Sequence, residues 1–537
     1  MPTKPGLLTP SHGISCYYDY WSEQLRDHPS VEFRNYVLSM VREGCPVGYQ
    51  GAATPLHCDN WPSAYENSNG LSLYIDKHKQ SGAIIGPLYN LSQTYRTSPL
   101  GAFTKKRSDK LRIIHDLSWP PGRSVNDGID KEDYTCTYSS VSDAVALCRT
   151  MTSPWLAKTD LSDAYLQCPV KPEDTDLLGF AWESDDGRLA FFKFTTLCLG
   201  LRSAPRLFSD LAAALNYICI ANGVKGHLIN YLDDFLILSD TRAECEASLS
   251  VVIDCASKCG LHVKPSKTEA PCKKLTFLGL QIDVDRKTVS MSQERLSDVR
   301  QELRDWIDKK SCSKREILSL IGTLTFCSQV VHYGQLYTCR LIHASKKAKY
   351  LHYTIYLDED CRKDIRWWLR NMQACNGISW FPVKFNAYEA DIMFTDASDN
   401  AAAAVLGKNW TIQVFDGEYS WIRKKPIAFK ELYAVLLGVS TFAVPLKGHQ
   451  LLINIDNMAI HCCIEKGRSK DYDLNCLLRC LYFYMSVNKI QIQTCHLASC
   501  RNILADSLSR GKLDVFFAAF PAANTRMTRP CRTMTDM

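Results

Sequence analysis

Residues Leu228–Leu238 read LINYLDDFLIL. Two apolar runs flank Tyr231-Leu232-Asp233-Asp234, a pattern that predicts a β-hairpin with two adjacent aspartates at its tip. Asp is a default turn residue, so a lone Asp-Asp pair signals no more than a solvated turn. Two ionised carboxylates held beside apolar strands are different. Each raises the other's pKa, and a cation relieves the cost. Upstream, Trp155–Val170 reads WLAKTDLSDAYLQCPV. An apolar strand there delivers Asp160 at its end, and a short turn then presents Asp163, Ala164 and Tyr165.

Asp160 can join Asp233 and Asp234 to hold two divalent cations. Mg2+ suits such a site, because it prefers carboxylate, water and phosphate oxygens. Two ions about 3.5–4 Å apart can activate a hydroxyl and stabilise a departing pyrophosphate. Residues 155–283 alternate apolar strands with helices, which marks a mixed α and β unit.

A second set of acids lies downstream. Asp391–Asp396 (DIMFTD) is a short strand ending in Asp396, and Leu451–Asp456 (LLINID) is another ending in Asp456. Lys430–Phe442 (KELYAVLLGVSTF) has apolar residues at helical spacing. Glu431 falls at its start, where a carboxylate also suits the helix dipole. Asn502–Arg510 (NILADSLSR) puts Asp506 on a helix. Four acids from two strand ends and two helices can converge on two metals and hydrolyse a phosphodiester.

The intervening stretches carry less chemistry. Residues 1–85 read as a poorly defined lead-in with one amphipathic helix near Val31–Arg42. Residues 291–350 are helical and basic, with eleven Lys/Arg against six acids. That charge suits phosphates without sequence preference, and a solvated helical face is the plain alternative for any one residue. Residues 357–390 read as a Trp-rich connector.

Over all 537 residues, 63 Lys and Arg stand against 57 Asp and Glu, and 46% of residues are hydrophobic. This usage excludes a mainly disordered chain. No apolar run reaches the roughly 18–20 residues of a spanning helix, and the N-terminus lacks the apolar stretch of a signal peptide. The 24 Cys are scattered, with no paired CxxC spacing, so reduced, mostly buried thiols in an intracellular protein are expected.

The order of motifs resembles reverse transcriptases. DLSDAY is followed by LGLRSAPRLFSDL at Leu199–Leu211, then YLDDF, then FLGLQID at Phe277–Asp283. The preceding Ser98–Ile129 is similar to the fingers region of retrotransposon enzymes, and the likeness runs from about Ser98 to Arg510. It implies that Asp160, Asp233 and Asp234 bind the catalytic metals. It implies further that Lys105 and Arg112 hold the incoming triphosphate, and that Tyr165 is a steric gate against a ribose 2′-hydroxyl. Taken alone, Lys105 and Arg112 would be a solvated face and Tyr165 a core aromatic.

The later acids resemble an RNase H domain, with Asp396, Glu431, Asp456 and Asp506 as its metal ligands. DNMA and NILADSLSR are most similar to DIRS-type retrotransposons, with gypsy-type LTR elements next. Three places depart from the pattern. Leu197-Cys198-Leu199-Gly200 stands where many relatives have Leu-Pro before the Gly. Leu111 replaces a Trp. His496-Leu497-Ala498-Ser499 lacks the usual Pro-Gly, so His496 reads as a core or loop histidine.

The resemblance implies an α+β fold: a right-hand polymerase of fingers, palm and thumb, then a connector and an α/β RNase H-like domain. The expected divisions are a lead-in at 1–85, fingers and palm at 86–290, thumb-like basic helices at 291–356 and a connector at 357–390. An RNase H-like domain at 391–512 and a tail at 513–537 follow. The implied activities are RNA-directed DNA synthesis and cleavage of RNA in RNA–DNA hybrids, with Mg2+, or Mn2+ in its place. The implied partners are RNA and DNA template-primers, the hybrid and deoxynucleoside triphosphates, with no membrane and with any integrase or recombinase on another chain. Two competing readings are an RNA-dependent RNA polymerase and a domesticated nucleic-acid-binding protein whose chemistry has lapsed.

Overall fold

The run FLIL forms a strand because both of its faces are covered. Phe235 and Ile237 enter one large apolar core, and Leu236 and Leu238 are fully buried as well. A strand buried on both sides reads as a continuous apolar run rather than an alternating one. The computed structural model describes residues 12–52, 54–104, 111–183, 187–331, 333–379 and 385–530. These fall into two compact units. One comprises residues up to Leu278 together with Ile282–Arg286; the other comprises Gly279–Gln281 and the chain from Lys287 onward.

In the first unit, four strands form an antiparallel sheet in the order His227–Tyr231, Asp234–Ser239, Trp155–Asp160, Glu269–Cys272. The helices Ala204–Ala221 and Arg242–Lys258 pack on this sheet. A second sheet has the order Ile84–Leu88, Leu189–Phe194, Gly179–Glu183, and Leu100–Thr104 pairs with Leu111–His115.

The N-terminal residues are more than a lead-in. Ser30 caps the Val31–Glu43 helix by accepting from the Phe33 N–H, and Trp21, Val37, Met40 and Val41 are buried in the large core. Trp21 Nε1 donates to the Cys259 carbonyl at 3.0 Å. Of these helices only Val31–Glu43 has a legible apolar period; the others run seven residues or fewer, or are polar along much of their length, as Ser68–Gln80 is.

The second unit begins with a layer of helices: Gln293–Ile307, Lys314–Cys327, Cys339–Lys346 and Glu359–Asn371. Ser313 and Glu316 form a capping box on the second of these. The Glu359–Asn371 helix lies in the stretch read as a connector, and it packs against Gln293–Ile307 and Cys339–Lys346. Its Trp368 is fully buried, and its Trp367 stacks on Tyr337 at 3.8 Å and 4°.

A five-stranded sheet follows, in the order Asn409–Val414, Ala401–Leu406, Asp391–Ala397, Gln450–Ile455, Gln491–His496. The first three strands are antiparallel and the last two join in parallel. Helices Ile427–Thr441 and Tyr472–Asn488 pack against each other on one face, with Ala402 and Ala404 in their core. Ala403 and Val405 point the other way, into a cluster with Leu508 and Phe516. The C-terminal residues to 530 therefore take part in the fold, and the Trp410 indole donates to the Asn524 carbonyl at 2.7 Å. All the described cysteines are free, and among the described residues no helix is long and apolar enough to cross a membrane.

One buried ionic group joins the helical layer to the Tyr472–Asn488 helix. Asp364, fully buried, accepts from Arg340 and from Arg479, each at 3.2 Å, and Arg479 also donates to the Leu336 carbonyl at 2.7 Å. Burial pushes the Asp364 carboxyl up to about 6, and the two guanidinium charges oppose this, so it stays ionised at neutral pH. Asp364→Ala would leave two cations without their counter-charge, a loss on the order of 3–5 kcal/mol. Thermal unfolding of the purified variant should show a clearly lowered midpoint; a midpoint equal to wild type would mean the group contributes nothing to stability.

Candidate functional site

The first acid cluster is set by strand register. Asp160 ends the Trp155–Asp160 strand and pairs across the ladder with Asp234, the first residue of Asp234–Ser239. Asp234 also faces Tyr231 across the hairpin, so Leu232 and Asp233 alone form the turn. Leu232 takes a left-handed backbone, φ 51°, which costs a non-glycine residue about 1–2 kcal/mol. The turn is held from behind: the Leu161 N–H donates to the Asp233 carbonyl at 3.0 Å, and the Lys264 N–H donates to the Asp160 carbonyl at 2.7 Å.

The carboxylates crowd one another. Burial pushes Asp234 up to about 6, helped by the hydrogen bond its protonated carboxyl donates to Asp160 and by the charges of Asp233 and Asp160. Asp233 is raised by burial and then by Asp160. Asp160, 4% exposed, receives the Lys267 ammonium at 2.5 Å. Burial pulls the Lys267 pKa down, but the bond to Asp160 and the charges of Asp234 and Asp233 outweigh it, so the ammonium is stabilised. An all-oxygen set of this kind fits a hard divalent cation.

Tyr165 follows on the 3-10 turn Ala164–Gln167, after Asp163 at φ 44°. Its ring meets Phe208 edge-on at 5.5 Å, and Phe208 belongs to the LGLRSAPRLFSDL segment. Burial, then the neighbouring Tyr138 and Asp233, push its phenol well above the usual range. Asp163 itself pairs with Lys77 at 2.8 Å, with both side chains more than half exposed, an arrangement worth little to stability. Arg112 is exposed on the Leu111–His115 strand, opposite Phe103. Lys105 lies outside the described residues.

Gly200 adopts φ 107°, and a Cβ there would sit 2.0 Å from the His115 carbonyl oxygen, so this close approach requires glycine. Asn126 accepts from the Arg202 N–H and donates to the Gly200 carbonyl, both at 2.8 Å, and so fixes the loop before the Ala204–Ala221 helix. Cys198 is buried with its Sγ 3.7 Å from His115 Nδ1. Burial lowers the His115 pKa to about 4, leaving it neutral. Sequence reading missed Asn126 and Lys267. Asn126 precedes an Asp-Gly turn and could have been flagged; no local spacing marks Lys267 as a partner of Asp160.

The second cluster is tighter. Asp396 lies on the central strand Asp391–Ala397, and Asp456 directly follows the parallel neighbour Gln450–Ile455. Glu431 enters from the Ile427–Thr441 helix. That helix begins at Ile427 rather than at Lys430, so Glu431 sits a full turn inside it. The helix-dipole explanation of this acid therefore fails, because that effect fades beyond the first turn. One ligand oxygen from each of Asp396, Glu431 and Asp456 lies within 4.8 Å of the other two, the one such trio among the described residues.

Burial pushes Glu431 up to about 9, with the charges of Asp396 and Asp456 adding to it. Its Oε2 is buried without a hydrogen-bond partner. Asp396 is pushed up to about 6 by burial, opposed by a hydrogen bond from Ser509 Oγ. An orphaned carboxylate oxygen among three acids fits a divalent cation.

Asp506, the fourth predicted acid, is on the Ile503–Ser509 helix but accepts from Arg510 Nε at 2.6 Å and is outside that trio. Its charge still raises Asp396 and Glu431. The buried Asn502 pins the start of this helix by donating to the Thr395 carbonyl at 2.9 Å. His496 is exposed, with Nε2 3.2 Å from the Asp456 backbone oxygen. Sequence reading missed Ser509 and Asn502, which hold the cluster through bonds that only the packed helix creates.

Residues 105–282 match the family model described as reverse transcriptase (RNA-dependent DNA polymerase), so the chain carries a reverse transcriptase domain. The chain is 24% identical over 319 residues to the Gag-Pol polyprotein of avian reticuloendotheliosis virus, covering 56% of this chain and 25% of the relative. It is 23% identical over 335 residues to the enzymatic polyprotein of figwort mosaic virus (strain DxS), covering 59% of this chain and 46% of the relative. The chain thus spans less than half of either polyprotein. A solved foamy viral protease-reverse transcriptase dRH in complex with double-stranded DNA superposes with a TM-score of 0.52 at 14% identity. That match covers 92% of this chain and 84% of the other. The foamy viral protease-reverse transcriptase in complex with an RNA/DNA hybrid gives 0.50 at 14%, covering 92% and 64%. The fold is that of a right-hand polymerase with mixed α and β content.

The raised carboxyls of the second cluster have a consequence for stability. Folded Glu431 and Asp396 keep protons that the unfolded chain releases, so the cation-free protein loses stability as pH rises from the ordinary carboxylate range to about 9. Glu431→Gln should flatten that slope and raise the melting temperature near pH 9 in EDTA, and Mg2+ should raise it for wild type only. Melting curves for both proteins across pH test this; identical pH slopes would show that Glu431 is not held protonated.

Proposed function

We propose that this chain is an RNA-directed DNA polymerase of a retrotransposon, DIRS-type by its motifs, with a second, RNase H-type site for the RNA strand of RNA–DNA hybrids. The observation that carries the first part is the cross-strand pairing of Asp160 with Asp234 at the YLDD turn, inside the segment matched by the reverse transcriptase model. The buried trio of Asp396, Glu431 and Asp456 supports the second.

In this reading Asp160, Asp233 and Asp234 would hold divalent cations beside the primer 3′-hydroxyl and the triphosphate. Mg2+, or Mn2+ in its place, supplies the charge that favours the attacking and departing oxygens. Lys267 keeps the acids neutralised and in place before substrate enters. Tyr165, braced by Phe208, excludes a 2′-hydroxyl and so selects deoxynucleoside triphosphates. Arg112 and Lys105 grip the phosphates, Arg through its planar fork and Lys as a point charge. Positioning and electrostatics do most of the work.

At the second site Asp396, Glu431 and Asp456 would hold a divalent cation, with Asp506, paired with Arg510, as the fourth acid. The basic helices of 291–356 hold the template-primer by its phosphates.

Two measurements test this reading. Asp233→Asn should lower primer extension on RNA and DNA templates by at least about a hundredfold, the scale on which loss of one charge-stabilising group is felt. Primer–template binding should hold, because affinity rests on many phosphate contacts. Extension near the wild-type rate would end the assignment. Asp456→Asn should stop hybrid cleavage while extension stays within about twofold, since each acid cluster is built within its own compact unit. Retained cleavage would make Asp456 a structural strand-end acid.

A further inference from the structure

Beneath the N-terminal helix Tyr18–Gln24, cysteines of two other helices come together: Cys219 from Ala204–Ala221, Cys255 from Arg242–Lys258, and Cys259 just past the end of the latter. We propose that Cys219 and Cys255 are a peroxide-reactive thiol pair, with Cys255 as the attacking sulfur and Cys219 as the thiol that closes a disulfide between the two helices. The inference goes beyond the polymerase reading and does not rest on it. It concerns sulfur chemistry in which no acid of either cluster takes part.

Helix packing places the two thiols. Each lies in the last turn of its helix, the two helices pack on each other, and both side chains are buried. The Cys219 thiol donates a hydrogen bond to Cys255, so the sulfurs already face one another. Tyr20 Oη donates to the same Cys255 Sγ at 4.0 Å. Cys259 follows one helical turn later, and the Trp21 indole bonds its backbone carbonyl at 3.0 Å rather than its thiol.

Two donors on one sulfur favour its thiolate, the form that acts as a nucleophile. Burial opposes this, and elsewhere it prevails: it pushes Cys45 up to about 12 and raises Cys198 as well. At Cys255 the bond from Cys219 is the largest influence and the bond from Tyr20 adds to it, so the thiol comes down to about 7 against its burial. The cover over this thiolate is thin. Asp254 and Lys258, close by on the same helix, have side chains more than half exposed, so Cys255 lies just under the surface. The covering helix has seven residues, a length that is marginal without its neighbours. Tyr20, Trp21 and the Asn222 amide, which donates to Gln24 Oε1 at 2.6 Å, hold it down. Local opening of such a segment admits a molecule as small as hydrogen peroxide.

The reaction runs in two steps. The Cys255 thiolate attacks one peroxide oxygen; an S–O bond forms, the O–O bond breaks, and the departing hydroxide takes a proton from solvent and leaves as water. The Cys219 sulfur then attacks the Cys255 sulfenic acid; an S–S bond forms, the S–O bond breaks, and the hydroxide leaves as a second water with the Cys219 proton. Two thiols and one hydrogen peroxide become one disulfide and two waters, with sulfur oxidised and peroxide reduced. The bridge consumes the thiolate to which Tyr20 donates, so the covering helix loses one of its anchors.

The test uses the full chain, fully reduced, and hydrogen peroxide at neutral pH. After blocking with iodoacetamide, the protein is digested without reductant and mapped by mass spectrometry. A linked Cys219–Cys255 peptide pair, lighter by two hydrogens than its reduced parts, should form at least about tenfold faster than Cys198 is oxidised. Dithiothreitol should return both thiols. In Cys219→Ala the sulfenic acid has no partner, so dimedone should capture it at Cys255, whereas Cys259→Ala should still form the bridge. Wild-type protein that stays unbridged while its exposed Cys16, Cys495 and Cys500 oxidise overturns the proposal, and so does a bridge from Cys255 to Cys259 in its place. Both of these outcomes are read on wild type, so neither depends on a variant that folds.

Discussion

Asp160 and Asp234 stand directly opposite on neighbouring strands, and the first unit is arranged around holding them there. Side chains opposite one another on an antiparallel pair come within about 4.5–5.5 Å at Cβ, and like charges in that relation are destabilising. The sheet cannot relieve this by slipping without undoing the packing of FLIL, whose four side chains are buried on both faces. The register is fixed from outside. The Ala204–Ala221 and Arg242–Lys258 helices pack on the sheet, and the Leu161 and Lys264 amides pin the backbone on either side of the pair. The left-handed Leu232 is a local cost that this surrounding structure holds in place.

The two acid clusters relieve the same repulsion by different means. In the first, the Lys267 ammonium bonds Asp160, so a positive charge carried by the chain occupies the place that suits a cation. In the second, no lysine or arginine among the described residues bonds the trio. Glu431 instead holds a proton across the neutral pH range, and Asp396 leans on the Ser509 hydroxyl. A proton is readily exchanged for a metal ion, and its release makes metal affinity pH-dependent. Asp506 already carries its own counter-charge in Arg510, which explains why it lies apart from the trio.

What the sequence made legible follows the range of the forces involved. The hairpin, the Asp160 strand and the strands ending at Asp396 and near Asp456 were readable, because period-two patterning and turn chemistry are local. The identity of each acid's partner was not. Lys267 meets Asp160, and Asn502 meets Thr395, across separations of about a hundred residues that no motif spans. Helix Ile427–Thr441 was placed three residues late because its burial is nearly continuous from Phe429 to Ser440, which blurs the 3.6-residue period used to find its start. The helices before residue 85 were mostly too short or too polar to show a period, though their apolar residues enter the main core.

The strand Ala401–Leu406 shows how packing sets the second site. Four consecutive alanines make a poor strand by propensity alone. They are tolerated because both faces are covered at close range: a Cβ on Gly438 would meet the Met393 sulfur at 2.6 Å and the Ala404 Cβ at 2.8 Å. Small residues on both sides let the Ile427–Thr441 helix lie near the sheet, and that approach brings Glu431 down to Asp396. The same helix packs against Tyr472–Asn488, whose Arg479 bonds the buried Asp364 of the helical layer. Replacing that ionic group by apolar residues of the same volume could match its stability. What it adds is direction, since a buried carboxylate shared by two guanidinium groups is satisfied in one arrangement of the three helices. The position of Glu431 thus rests on shape at Gly438 and Ala404, while the helix behind it is oriented by charge at Asp364.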